Sequence, residues 1–304
     1  MIKPVRAILV VAADSAYFDY SRQLLDSLRD RGALSGYDLG FYDLGLSQIQ
    51  QEALERYEAK IVVPGWDIPF PLRDDYMRNR QWFRAMVARP FLPEYFPGYD
   101  CYLWIDSDAW VQDRNVLEEL VRWSQQYGCA AVPEVDRSYI KFRGKPRMWE
   151  AERVCYRECF TEDIASKLDY RPQVNTGVLA ISAQSPVWSL WKQYLKMGLM
   201  VAPNRVVEQL AFNLALYDGG CPVSLLPATY NWIAGMSLPA YSTSRNVLVE
   251  PQPPFERIKI IHLTSPVMGN FADITFLDEH ELPLTQLWVF LEYDNYFRSR
   301  VTRV

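Results

Sequence analysis

Cys101-Tyr-Leu-Trp-Ile-Asp-Ser-Asp108 is a short apolar run that ends abruptly in two carboxylates one residue apart. A continuous apolar run of this length reads as a buried strand. In a parallel sheet, ligands bind beyond the carboxyl ends of the strands. Asp106 and Asp108 at such an end can both turn to one hard cation, and their oxygen ligands suit Mn2+ or Mg2+, which can bridge to diphosphate oxygens. A solvated turn after a strand would look the same, and spacing alone weighs the two readings evenly. This is the only Asp-x-Asp in the chain.

Upstream, Ala7–Val11 reads as a buried strand and Ala16–Arg31 as a helix with Leu24, Leu25 and Leu28 on one face, stopped by Gly32. A strand over Tyr37–Asp43 follows. Ser47 and Gln50 form a capping box that opens a helix to about Ala59, before a strand at Lys60–Val63. This β-α-β-α-β order implies a parallel sheet with right-handed crossovers. After a Pro-rich loop a helix is expected over Asp75–Ala88, then a turn-rich stretch containing Pro90, Pro93 and Pro97.

Downstream, the pattern predicts a helix at Asn115–Gln126, a strand at Cys129–Val132 and a charged helical region at Lys145–Leu168. A strand at Val178–Ile181 comes next. Ser185-Pro186 then caps a helix to about Leu199, with another over Arg205–Tyr217. Strands at Val223–Leu226 and Ile258–Leu263 and a helix from about Leu284 close the chain. His262 ends the apolar run in the second of these. An imidazole beside two carboxylates would favour Mn2+ over Mg2+, although a lone His beside a strand is more often structural.

The 304 residues carry a net charge of −5, with 49% hydrophobic and 23% charged residues. That balance is globular, and an acidic chain has no electrostatic footprint for nucleic acid. A phosphorylated small molecule would call for a cation. Five cysteines without a Cys-x-x-Cys pair argue against a zinc site or a disulfide framework and fit a reducing cytoplasm. No stretch reaches the length of a membrane span.

Several segments in order resemble glycosyltransferase family 8, especially the bacterial lipooligosaccharide galactosyltransferases and glycogenin-like enzymes. They are Ile8–Asp14, Trp82-Phe-Arg84 with Pro-Phe-Leu-Pro after it, Tyr102–Asp108, Val174-Asn-Thr-Gly-Val-Leu179, Glu208-Gln209 with Asn213, Leu226-Pro-x-x-Tyr-Asn231 and Ile260-Ile-His262. The resemblance implies a GT-A (Rossmann-like) nucleotide-diphospho-sugar transferase fold, an α/β domain over residues 1–282 with a mainly parallel central sheet. It implies a retaining transfer of a hexose from a UDP-sugar to a glycan, lipid-linked or protein hydroxyl.

On that reading Asp106, Asp108 and His262 hold the metal, and Arg84, Glu208 and Gln209 are the catalytic candidates. Ala12, Ala13, Asp14 and Tyr17 would receive the uracil end of the donor. Ser107, Glu134, Asn175 and Gly177 complete the donor site, with Glu134 and Glu208 towards the sugar hydroxyls. The chain departs from the family in three places. The histidine block continues as Ser265-Pro-Val-Met-Gly269 without the usual lysine; Glu208 stands for an aspartate; and five extra residues before the Asp-x-Asp make Arg89 a competitor of Arg84.

Two rival classes remain open at this point. A haloacid dehalogenase-type phosphohydrolase also uses Asp-x-Asp, but on its first strand; a sugar-nucleotide- or glycan-binding protein would lack turnover. Residues 283–304 are read as a helix (Leu287–Phe297) and basic tail packed on the domain. A weak peripheral contact of Arg298, Arg300 and Arg303 with the inner face of the membrane is the less favoured alternative.

Overall fold

The computed structural model describes residues 5–71, 73, 80–140, 147–264, 268 and 270–290. In chain order the first half forms β1 (Ala7–Ala13), α1 (Phe18–Asp30), β2 (Asp38–Asp43), α2 (Gln48–Glu55), β3 (Lys60–Val62), α3 (Phe83–Ala88), β4 (Cys101–Ile105), β5 (Ala109–Val111), α4 (Val116–Tyr127) and β6 (Cys129–Pro133). The second half adds α5 (Arg147–Cys159), β7 (Val174–Ser182), α6 (Val187–Val201), α7 (Val207–Tyr217) and β8 (Ser224–Leu225). Six more strands follow: β9 (Trp232–Ile233), β10 (Ala240–Ser242), β11 (Val247–Val249), β12 (Ile260–His262), β13 (Phe271–Leu277) and β14 (Pro283–Phe290).

The central sheet runs β3-β2-β1-β4-β7-β6-β8. Its neighbours are parallel except at β7, which is antiparallel to both β4 and β6. Alternation along the strands sorts side chains to two faces. Ile8, Val10, Tyr102, Trp104, Leu179 and Ile181 face one core with α6 and α7. Leu9, Val11, Leu103, Ile105, Val178 and Ala180 face another with α1 and α4. Helices therefore cover both faces, and β4 is an interior strand buried at every residue. The expected mainly parallel α/β sheet is the one found.

Two smaller sheets stand beside it. One, β5-β12-β9, carries the strand that continues from the Asp-x-Asp; the other is β11-β10-β13-β14. Gln112 ties them together. Its buried amide nitrogen donates to Leu248 O at 3.1 Å and Ile258 O at 2.8 Å, and its oxygen accepts from Leu248 N at 2.9 Å.

The capping box of Ser47 and Gln50 is present, although the helix it opens ends at Glu55. Other expectations need correction. α3 begins only at Phe83, with Gln81 and Trp82 in a turn, and residues 74–79 lie outside the described residues. The chain then continues in helical turns at Arg89–Phe91 and Leu92–Tyr95, because Pro90 and Pro93 each sit in a first turn, where a missing amide costs nothing. β7 begins at Val174 rather than Val178, since β6 pairs with Val174 and Asn175 and Asp106 N donates to Gly177 O from the other side. The strand expected over Ile258–Leu263 is shorter, Ile260–His262, and belongs to a small sheet.

The helix expected from Leu284 is a strand: residues 283–290 pair antiparallel with β13, Ile274 opposite Leu287 and Ala272 opposite Val289. Residues 291–304, with the three tail arginines, lie outside the described residues. Among the described residues no helix is long and apolar enough to cross a membrane.

Candidate metal and sugar-nucleotide site

The site begins where β4 stops. Asp106 N donates to Gly177 O at 2.8 Å, so the first aspartate stays beside β7. The Ser107 hydroxyl donates to Ala12 O and fastens the turn to the end of β1. After Asp108 the chain enters β5, which pairs antiparallel with β12 so that Ala109 faces His262. Leu263 N donates to Asp108 O at 2.9 Å. This register brings a histidine distant in sequence to the Asp-x-Asp.

The result is a cluster in which one ligand atom each of Asp106, Asp108 and His262 lies within 4.8 Å of the others. His262 Nε2 stands 3.2 Å from Asp108 Oδ1 and 3.9 Å from Asp106 Oδ2. His262 Nδ1 lies 3.0 Å from Asn231 Oδ1, at the start of β9. An amide oxygen can only accept, so Nδ1 carries the proton and Nε2 faces the carboxylates. Gly177 leaves the room for this convergence. A Cβ there would stand 2.5 Å from His262 Cε1 and 2.8 Å from Asp106 Oδ2.

Burial works against the charged His262, but Asp108 outweighs it and raises the imidazole above its ordinary value. Burial likewise opposes ionisation of Asp108, and the facing imidazolium overrides it and lowers the carboxyl.

A second group adjoins the first. The Arg89 guanidinium is buried, and its Nη2 donates to Asp106 Oδ1 at 3.1 Å. Its Nη1 donates to Thr176 O at 3.1 Å and Glu208 Oε2 at 3.3 Å. Trp104 Nε1 donates to the same Asp106 oxygen at 2.7 Å. Glu208 is 1% exposed. Burial pushes its carboxyl up to about 7, Arg89 resists and Asp106 adds to the rise.

Glu134 Oε1 accepts from Asn175 Nδ2 at 3.0 Å and Gln209 Nε2 at 3.3 Å. Asn175 Oδ1 in turn accepts from Gly177 N at 2.8 Å and Asn231 Nδ2 at 3.0 Å. Asn213 latches α7 to β7: its Oδ1 accepts from Val174 N at 2.7 Å and its Nδ2 donates to Val174 O at 2.9 Å. Gln209 is thereby held against Thr176, whose N donates to Gln209 Oε1 at 3.2 Å.

Neither Glu134 nor Glu208 is the solvated side chain that a surface loop or helix face would give. Arg84 is placed elsewhere. Its Nη2 donates to Asp43 O at 3.3 Å at the end of β2, and Arg89 is the arginine that meets Asp106 and Glu208. At the end of β1, Asp14 Oδ1 accepts from the amides of Ala16 and Tyr17, both at 3.0 Å. Burial raises the Tyr17 hydroxyl above its ordinary value, and Asp108 adds to the rise.

Asn231 and Trp104 stand in the sequence only as parts of longer blocks. Nothing in their spacing marked them as partners of His262 and Asp106. Trp232, next to Asn231, is fully buried and lies in the core.

No protein-family model matches the chain, and no curated protein matches it by sequence. Solved structures do match. The galactosyltransferase LgtC in complex with donor and acceptor sugar analogs is 17% identical, with a TM-score of 0.52 over 86% of this chain and 88% of that one. The bifunctional glycosyltransferase WbbM is 15% identical, with a TM-score of 0.55 over 87% of this chain and 47% of that one. GlyE of Streptococcus pneumoniae TIGR4 is 15% identical, with a TM-score of 0.52 over 98% of this chain and 61% of that one. The chain thus spans most of the first relative and about half to three-fifths of the other two. With β4 in the sheet interior and the Asp-x-Asp at its carboxyl end, the chain has the GT-A glycosyltransferase fold of these structures.

Proposed function

We propose that the chain is a glycosyltransferase that moves a hexose from a UDP-sugar to a hydroxyl of a glycan, lipid-linked or protein acceptor, with retention of configuration. The observation that carries this reading is the convergence of Asp106, Asp108 and His262 around space that only a glycine at 177 leaves. Two carboxylate oxygens and a neutral imidazole nitrogen fit Mn2+, with Mg2+ second. When bound, such an ion supplies Lewis-acid neutralisation of the leaving diphosphate.

The chain's own residues then divide the remaining work. Arg89 bridges Asp106 and Glu208, so it orients the site. Glu134, Asn175, Glu208 and Gln209 form a wall rich in acceptors, suited to sugar hydroxyls and to the positive charge that grows at the anomeric carbon. Gln209 is a neutral amide committed to Thr176 and Glu134. Such a group is a poor nucleophile, which favours attack by the acceptor on the leaving group's own face through an ion pair. Asp14 uses one oxygen to fix the loop after β1, and its other oxygen makes no hydrogen bond among the described residues. That oxygen is free to accept the ring N–H of uracil, which unprotonated cytosine does not offer.

The five free cysteines are in keeping with a reducing, cytoplasmic setting. Thermal unfolding with UDP, CDP and GDP, each with and without Mn2+, tests the donor. The Tm should rise most with UDP and Mn2+ together, by mass action on the folded state. Equal shifts with UDP and GDP, or a UDP shift indifferent to Mn2+, would contradict the proposal.

A further inference from the structure

The two oxygens of Asp106 are treated differently. Oδ1 accepts from Trp104 Nε1 at 2.7 Å and from Arg89 Nη2 at 3.1 Å. Oδ2 accepts from neither, and it is the oxygen on the side of His262 and Gly177. Trp104 comes from two residues earlier on β4, so both side chains leave the same face of the strand. Its ring also lies under Arg89, with the guanidinium carbon 4.3 Å from the ring centre. One indole thus holds Asp106 by its edge and Arg89 by its face, and Arg89 carries the hold on to Glu208.

We propose that Trp104 is a positioning residue for the cation site: its N–H fixes Asp106 so that a single oxygen, Oδ2, is offered to the ion. A carboxylate free to turn would present either oxygen and would lose rotational freedom on binding. With Oδ1 already satisfied by two donors, that loss is met when the chain folds. Hydrogen bonds of this kind orient ligands, and their removal typically weakens metal binding by about 10- to 100-fold. The proposal rests on Asp106, Asp108 and His262 being the cation site.

The experiment is Mn2+ titration of the metal-free chain, followed by calorimetry or by the loss of the free-ion spin-resonance signal. Trp104→Phe keeps an aromatic face under Arg89 and removes the N–H together with one ring of the indole. It should weaken Mn2+ binding roughly 10-fold or more. Trp188→Phe is the control, because Trp188 Nε1 donates at 2.9 Å to Ser182 O, away from the cluster. It removes a similar bond and should leave Mn2+ affinity unchanged even where it lowers the Tm. Should Trp104→Phe fail to fold, benzothienylalanine at position 104 keeps the bicyclic shape and replaces N–H by sulfur, with the same loss expected. Wild-type affinity in either position-104 variant would overturn the proposal while leaving the cation site intact. Failure of the unsubstituted chain to bind Mn2+ would overturn the cation site and this proposal together.

Discussion

Glu208 is the residue whose protonation the structure perturbs most legibly. Its carboxyl goes from 4.5 to about 7 on folding, first because burial disfavours the charge. A raised folded value means that the folded chain binds more protons between those two limits. The contribution to stability is therefore complete below about 4.5 and is lost as pH rises through about 7. Urea midpoints of the metal-free chain should fall across that window, and Glu208→Gln should flatten the fall. A wild-type slope in the variant would show that another group carries it. Gly177 supplies a second test. Gly177→Ala puts a Cβ 2.5 Å from His262 Cε1. Overpacking of this kind costs about 1–3 kcal/mol, and Mn2+ binding should be lost because His262 and Asp106 can no longer meet. Normal Mn2+ affinity in a folded Gly177→Ala variant would place the ion elsewhere. Residues of this sort were only half legible in the sequence. Asp106, Asp108 and His262 stood out by type and position, whereas Arg84 and Arg89 were separated only by the helical turns around Pro90 that set their direction.

At the scale of elements, the small sheet β5-β12-β9 decides the site. β5 extends the Asp-x-Asp, β12 ends in His262 and β9 follows Asn231, so one register places all three. Gln112 secures that register from below. Gln112→Ala would leave the Ile258 carbonyl and the Leu248 amide without this partner, while the Leu248 carbonyl keeps Ile258 N, at a cost of about 3 kcal/mol. The urea midpoint should fall accordingly, and Mn2+ affinity should fall with it. An unchanged midpoint would mean that the register does not depend on this side chain. The first three strands and their helices were readable because β1 is a continuous apolar run, α1 carries a leucine stripe that stops at Gly32 and α2 opens on a capping box. The last element was not. Leu284, Leu287 and Leu291 fit a helical stripe, yet Trp288-Val-Phe290 favours a strand, and pairing with β13 decides the matter. The same holds for Asn175–Gly177, whose strand conformation comes from neighbours on both sides rather than from its own composition.

For the whole molecule, a net charge of −5 and a site rich in carboxylates pose one problem for the proposed donor: a nucleotide diphosphate needs positive charge to bind. Among the described residues the arginine that meets the cluster, Arg89, is spent on Asp106 and Glu208, and the proposed function therefore assigns that charge to a cation. The most direct measurement is UDP release from UDP-hexoses by the whole chain, without and with candidate hydroxyl acceptors. Turnover should require Mn2+ or Mg2+, stop on chelation and return when the ion is restored, and Asp108→Ala should abolish it while the variant keeps its folded spectrum. UDP release that continues unchanged in chelator, or in Asp108→Ala, would contradict the metal-dependent transferase; Mn2+-dependent UDP binding with no release from any UDP-hexose would reduce the chain to a sugar-nucleotide-binding protein.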